Sequence, residues 1–118
     1  EKVRPPYNLG SLAQTAAAAL LTHGKDWIAA RTADVVRERD RLFAILGRDP
    51  SLTVYPSRAN FILVRAATPA AAAALYQRFA AAGILVRHFT APGPLAGCLR
   101  ITVGRPEQTD RLAKILFA

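Results

Sequence analysis

The sequence predicts an α+β domain: one small, mostly antiparallel sheet covered on one face by helices. Three observations carry that prediction. The first part of the chain, through Leu46, shows apolar residues at helical period and almost no strand-like run. Beyond it lie short apolar runs bounded by Pro, Gly, Ser and Asn, the marks of strands. Helix signatures follow each pair of these runs, so the order is two helices, then β-β-α-β-β-α, which argues for two layers.

Residues 1–10 contain Pro5, Pro6, Asn8 and Gly10, a composition that resists regular structure and marks a connecting segment before a domain over 11–118. Ser11 is a candidate N-cap for a helix through Ala13 to Leu21, strong helix formers that Gly24 stops. A longer helix from Asp26 to about Leu46 follows from the stripe Ile28, Val35, Leu42 and Leu46, with Val36 and Phe43 beside it. On its other face Asp34/Arg37 and Glu38/Arg41 stand three apart, each pair contributing about 0.2–0.5 kcal/mol, and Gly47 with Pro50 ends the helix. Thr53 to Tyr55 reads as a short strand and Asn60 to Arg65 as a longer one, their Pro56-Ser57-Arg58 link being short enough for antiparallel neighbours. Thr68 caps a helix with Pro69 at its first position, running through Leu75 and Phe79 to Gly83. A strand Ile84 to His88, a loop holding Pro92, Gly93, Pro94 and Gly97, and a strand Cys98 to Val103 come next; Pro106 opens the last helix, with Leu112, Ile115 and Leu116.

Composition bounds the function. At 118 residues, 52% of them hydrophobic, the chain can build one modest core. It holds no methionine and opens on Glu1-Lys2-Val3, as expected of a cut or truncated product. The longest apolar stretch, Thr15 to Thr22, is mostly alanine and far below the roughly 20 residues of a membrane span, so no membrane role is expected. Cys98 is the only cysteine, which excludes an intrachain disulfide and fits a cytoplasmic setting, and His23 and His88 lack ligand spacing, so no metal is expected. The net charge of +8 raises nucleic acid as a partner, but the arginines are dispersed from Arg4 to Arg111, often beside acids such as Asp34, Glu38 and Asp40. No strand carries the Gly/aromatic signature of an RNA-recognition sheet, and no nucleic-acid partner is expected.

Two arginines stand apart because each lies in a β-like apolar run: Arg87 in Ile84-Leu-Val-Arg87 and Arg100 in Cys98-Leu-Arg100-Ile-Thr-Val-Gly104. Alternation puts Leu99, Ile101 and Val103 on one face and Cys98, Arg100 and Thr102 on the other, so Arg100 points away from the helices. A guanidinium there presents a planar fork to a carboxylate or phosphate, although most strand arginines are merely solvated or salt-bridged.

These two segments, with Val54-Tyr-Pro-Ser-Arg-Ala-Asn60-Phe-Ile-Leu-Val64 and Lys2-Val-Arg-Pro-Pro-Tyr-Asn8, resemble in this order the C-terminal region of histidinol-phosphate aminotransferases, pyridoxal-phosphate enzymes of the class I/II group. The resemblance covers nearly the whole chain and implies the family's small domain, detached from its cofactor-binding domain. It implies that Arg100 and, thirteen residues before it, Arg87 are substrate-anion ligands. Two arginines suit the substrate's phosphomonoester dianion, and one suffices for the glutamate carboxylate that shares the pocket.

The resemblance also implies an exchange of the amino group between glutamate and imidazole-acetol phosphate, in an enzyme that is a homodimer binding small-molecule substrates. The Schiff-base lysine and the acid facing the pyridinium nitrogen are implied upstream of residue 1, and none of Lys2, Lys25 and Lys114 lies in the family's Ser-x-x-Lys setting. The cofactor is therefore expected with the full-length enzyme and not on this piece. Asn60 reads as a structural strand-start residue and Cys98 as an inert small residue, while the resemblance implies that Tyr7 and Asn8, in the segment leading into the first helix, shape the inter-domain hinge. Arg105 departs from the family's usual Thr or Ser before Pro106 and puts that helix cap in doubt. An aromatic aminotransferase and a threonine-phosphate decarboxylase share much of the same pattern.

Overall fold

The computed structural model describes residues 9–118, so the readings that fall on the connecting segment through Asn8, Tyr7 included, lie outside the described residues. The described residues divide into two compact units, 9–33 and 34–118. In the first, helix α1 (Ser11–His23) buries no residue, and Leu12 and Leu21 are exposed. Its N-cap is Gly10 and not Ser11, which already belongs to the helix; Gln14 closes the first turn, its N–H donating to the Gly10 carbonyl and its side-chain amide to the Leu9 carbonyl.

Helix α2 (Lys25–Leu46) contributes its last turns to the second unit, where Leu42 and Leu46 enter the core. The expected stripe is shorter than its period implied, since Val35 and Val36 are exposed. Strands β1 (Leu52–Tyr55), β2 (Phe61–Ala66), β3 (Arg87–His88) and β4 (Cys98–Thr102) form a wholly antiparallel sheet in the order β1-β2-β4-β3, with α3 (Pro69–Ala81) between β2 and β3 and α4 (Pro106–Leu116) last. The α+β class and the β-β-α-β-β-α order are those the sequence predicts.

Alternation decides the layers. Ile62, Val64, Leu99 and Ile101 point to one face and pack with Leu42, Leu46, Leu75, Phe79, Leu112 and Leu116, all essentially removed from water. The other face carries Tyr55, Phe61, Leu63, Arg65, Arg100 and Thr102, and no helix of this unit covers it. Thr68 caps α3 as expected, its hydroxyl accepting from the Ala71 N–H at 3.1 Å. Arg105 at the cap of α4 offers no acceptor; the Gln108 side chain instead accepts from the Arg105 N–H at 2.8 Å, one half of a capping box.

Two further expectations need correction. The strand expected over Ile84 to His88 pairs only at Arg87 and His88. Gly83 turns the chain at φ +70°, and the Ile84 N–H is held by the Phe79 carbonyl at the end of α3, so Ile84 to Val86 run along the core edge before reaching β4. The gap left beside Ile101, Thr102 and Val103 is a shallow cavity of about 330 Å³. Glu38, expected on a solvated face, is buried against α4. Burial works to raise its carboxyl, but hydrogen bonds from Arg41 and Thr109 prevail and hold its pKa below the ordinary value. Arg41 is held correspondingly above its own ordinary value, by Glu38 first and then Asp110.

Candidate anion site on the open sheet face

The register of β3 on β4 sets Arg87 directly opposite Arg100, and the register of β4 on β2 sets Arg100 opposite Leu63, which itself faces Tyr55. Tyr55, Leu63, Arg100 and Arg87 thus form one row across the open face. Directly opposed like charges destabilise a sheet, so this pairing is one the fold must offset elsewhere or use. Both arginines are exposed, and neither makes an ion pair with an acid among the described residues. Four acids of α2 and α4 are engaged with other arginines: Asp34 with Arg37 at 2.6 Å, Asp40 with Arg39 at 2.9 Å, and Glu38 and Asp110 with Arg41 at 2.8 and 2.7 Å.

Each guanidinium instead lies over an aromatic ring. The Arg100 guanidinium carbon is 5.2 Å from the centre of Phe61, its diagonal neighbour on β2, and that of Arg87 is 5.7 Å from Phe89, two residues on along the same side of the chain. A ring attracts the cation without offering an oxygen acceptor, so neither contact commits the donors of the guanidinium to a carbonyl or carboxylate.

Arg65 shares this face and has the opposite fate. Its Nε donates to the Tyr55 hydroxyl at 3.1 Å, Nη1 to the Ala96 carbonyl at 3.0 Å, and Nη2 to the Pro94 carbonyl. The Tyr55 contact is the first cause of its raised pKa. These bonds fasten the loop between β3 and β4 against the sheet beside Cys98, which opposes Arg65 in the register and is fully buried. The loop turns at Gly93 and Gly97, with positive φ at both.

Of the other residues singled out in the sequence, Asn60 is exposed and its carbonyl accepts from the Val103 N–H at 2.8 Å, extending the β2–β4 ladder. His88 stacks on Tyr76 with ring centres 5.3 Å apart, and His23 ends α1. Phe61, Phe89 and Arg65 lie on this surface without a role that the sequence assigns them. The spacing of Phe89 two residues from Arg87 was a usable signal, whereas Phe61 meets Arg100 only through the β2–β4 register. Among the described residues no cluster of His, Cys, Asp and Glu is arranged to hold a metal.

Comparison with known proteins bears on this surface. The family described as aminotransferase class I and II matches over residues 1–116. Histidinol-phosphate aminotransferase of Roseiflexus castenholzii is 43% identical over 117 residues, covering 98% of this chain and 31% of that protein. The structure of histidinol-phosphate aminotransferase from Sinorhizobium meliloti in complex with pyridoxal-5'-phosphate superposes with a TM-score of 0.77 at 27% identity, over 96% of this chain and 30% of that one. L-threonine-O-3-phosphate decarboxylase from Porphyromonas gingivalis does so with a TM-score of 0.67, also at 27% identity, over 92% of this chain and 34% of that one. The chain spans about a third of the length of each of these proteins.

Proposed function

The chain belongs to the class I and II aminotransferase family, and from that premise we propose that it is the C-terminal, substrate-binding small domain of a histidinol-phosphate aminotransferase. In this reading the intact enzyme exchanges an amino group between histidinol phosphate and 2-oxoglutarate, and this domain supplies Arg100 and Arg87 as ligands for the substrate anion. The observation that carries it is the direct opposition of Arg87 and Arg100 on the open face, with no acid partner among the described residues. Two adjacent forks match a phosphomonoester dianion; one suffices for the dicarboxylate partner. Their contribution is orientation, since an anion held at a fixed place fixes where the reacting carbon lies.

The family's cofactor, pyridoxal phosphate, requires a lysine for its Schiff base. The described lysines are Lys25, exposed on α2, and Lys114, exposed on α4, and neither follows a Ser-x-x pattern. In this reading the remainder of the polypeptide holds the cofactor.

The test is kinetic, in the intact enzyme. Arg100→Ala and Arg87→Ala should each lower kcat/KM for histidinol phosphate by roughly tenfold to a few hundredfold, the loss of a charge-assisted contact of about 1.5–3 kcal/mol or more in a desolvated pocket. Toward glutamate, Arg100→Ala should lose more than Arg87→Ala, and Arg100→Lys should recover only part, because a point charge lacks the two-donor geometry. Values within about twofold of wild type for Arg100→Ala with both substrates would make the arginine structural. The similarity to the P. gingivalis decarboxylase favours one other reading, a decarboxylase of a phosphorylated amino acid, and carbon dioxide release without amino transfer would establish it.

A further inference from the structure

We propose that Phe61 and Phe89 are positioning residues, whose rings restrain the Arg100 and Arg87 guanidinium groups while leaving their N–H donors uncommitted for the substrate anion. The inference rests on the reading of the arginine pair as the anion site and adds to it how the pair is kept ready.

The three arginines of the open face show the contrast. The Arg65 guanidinium is held by hydrogen bonds from Nε, Nη1 and Nη2, which commit the same edges that an anion would need. Arg100 and Arg87 have no side-chain hydrogen bond to a described residue, and the contact that restrains each is a ring, at 5.2 and 5.7 Å. An unrestrained arginine loses considerable rotamer freedom when it binds, and a ring beside it removes part of that loss in advance. A carboxylate in the same role would compete with the substrate for the fork. A ring does not, because it holds the cation through its quadrupole and supplies no carboxylate or carbonyl oxygen to claim the N–H donors.

The placement is repeated by independent means. Phe61 reaches Arg100 diagonally across the β2–β4 register, and Phe89 reaches Arg87 along its own segment. Both rings are half-buried on the face that α3 and α4 do not use, so the core formed by Ile62, Val64, Leu99 and Ile101 does not explain them.

The experiment is a double-mutant cycle in the intact enzyme, with steady-state kinetics toward the phosphomonoester amino donor. Phe61→Leu should reduce kcat/KM by roughly three- to tenfold, mostly through KM, and Phe61→Tyr should return it to within about twofold of wild type. In an Arg100→Ala background, Phe61→Leu should have no further effect, because nothing remains to be positioned. A Phe61→Leu enzyme equal to wild type, beside a severe Arg100→Ala, would overturn the inference while leaving the anion site intact. An equal Phe61→Leu loss with and without Arg100 would overturn it in favour of a packing role. A neutral Arg100→Ala would remove the anion site and the inference together. Should Phe61→Leu fail to fold, the same cycle with Phe89→Leu and Arg87→Ala decides, its outcomes read in the same way.

Discussion

Replacement of Arg41 by alanine should unfold the 34–118 unit more readily than its partly exposed position suggests. Its Nε donates to both Glu38 oxygens at 3.1 Å, and its Nη2 donates to Glu38 Oε1 and to the Pro106 carbonyl, each at 2.8 Å. Nη1 reaches Asp110 at 2.7 Å, so one side chain ties the end of α2 to the start of α4. Removing one partner of a buried pair costs about 3–5 kcal/mol, because the other charge stays buried. The Glu38 side chain is 9% exposed, which brings that penalty into play, but the Arg41 side chain is 38% exposed and water refills part of its place. The expected loss is therefore about 2–3 kcal/mol, or roughly 10–20 °C in Tm for a domain of this size. Urea denaturation of the 118-residue chain at neutral pH, followed by circular dichroism, measures it. A loss below about 0.5 kcal/mol would refute the reasoning and reduce the cluster to an ordinary surface ion pair.

The same cluster has a pH signature. The folded pKa of Glu38 is depressed below 4.5, so its contribution is fully present above the unfolded value and is lost as pH falls through the lower, folded one. The stability difference between wild type and Glu38→Gln should be widest at neutral pH and shrink as the solution is acidified past that window. A difference that stays flat or widens in acid would contradict the assignment.

Two further outcomes are expected. Thr68→Ala removes the acceptor for the Ala71 N–H and should cost about 1 kcal/mol in the same denaturation assay, with Thr68→Ser retaining most of it. Arg65→Ala releases the Pro94 and Ala96 carbonyls and loosens the loop beside Cys98, so thiol labelling of Cys98 under native conditions should accelerate at least severalfold; an unchanged rate would show that the loop holds without Arg65.

Local pattern was enough for the elements whose structure is decided locally. Thr68-Pro69 starts α3 and Pro106 starts α4 through cap and φ preferences that act within a turn, and alternation sorted Leu99 and Ile101 from Arg100 without knowledge of any neighbour. Misreadings arose where distant residues decide. Glu38 and Arg41 are spaced as a solvated i,i+3 pair, and only the approach of Thr109 and Asp110 on α4 buries the carboxylate. Ile84 to Val86 have the composition of a strand, yet the bond from the Ile84 N–H to the Phe79 carbonyl keeps them off β4 until Arg87.

The candidate site divides along the same line. That Arg100 faces away from the core follows from alternation alone, and Arg65 follows by the same rule on its own strand. By residue type and parity the two are equivalent, and nothing local separates a structural guanidinium from one left free to bind. The separation comes from acceptors within reach: the loop that returns β3 to β4 brings the Pro94 and Ala96 carbonyls over Arg65, whereas among the described residues Arg100 has the ring of Phe61 as its side-chain contact. An arginine whose donors meet backbone carbonyls has its binding capacity consumed by the fold. One that meets only an aromatic face keeps its charge and its donors, and a second such arginine directly opposite it raises the local potential further. This difference in committed donors, more than the count of basic residues, is what supports the proposed dianion site at the Arg87/Arg100 row.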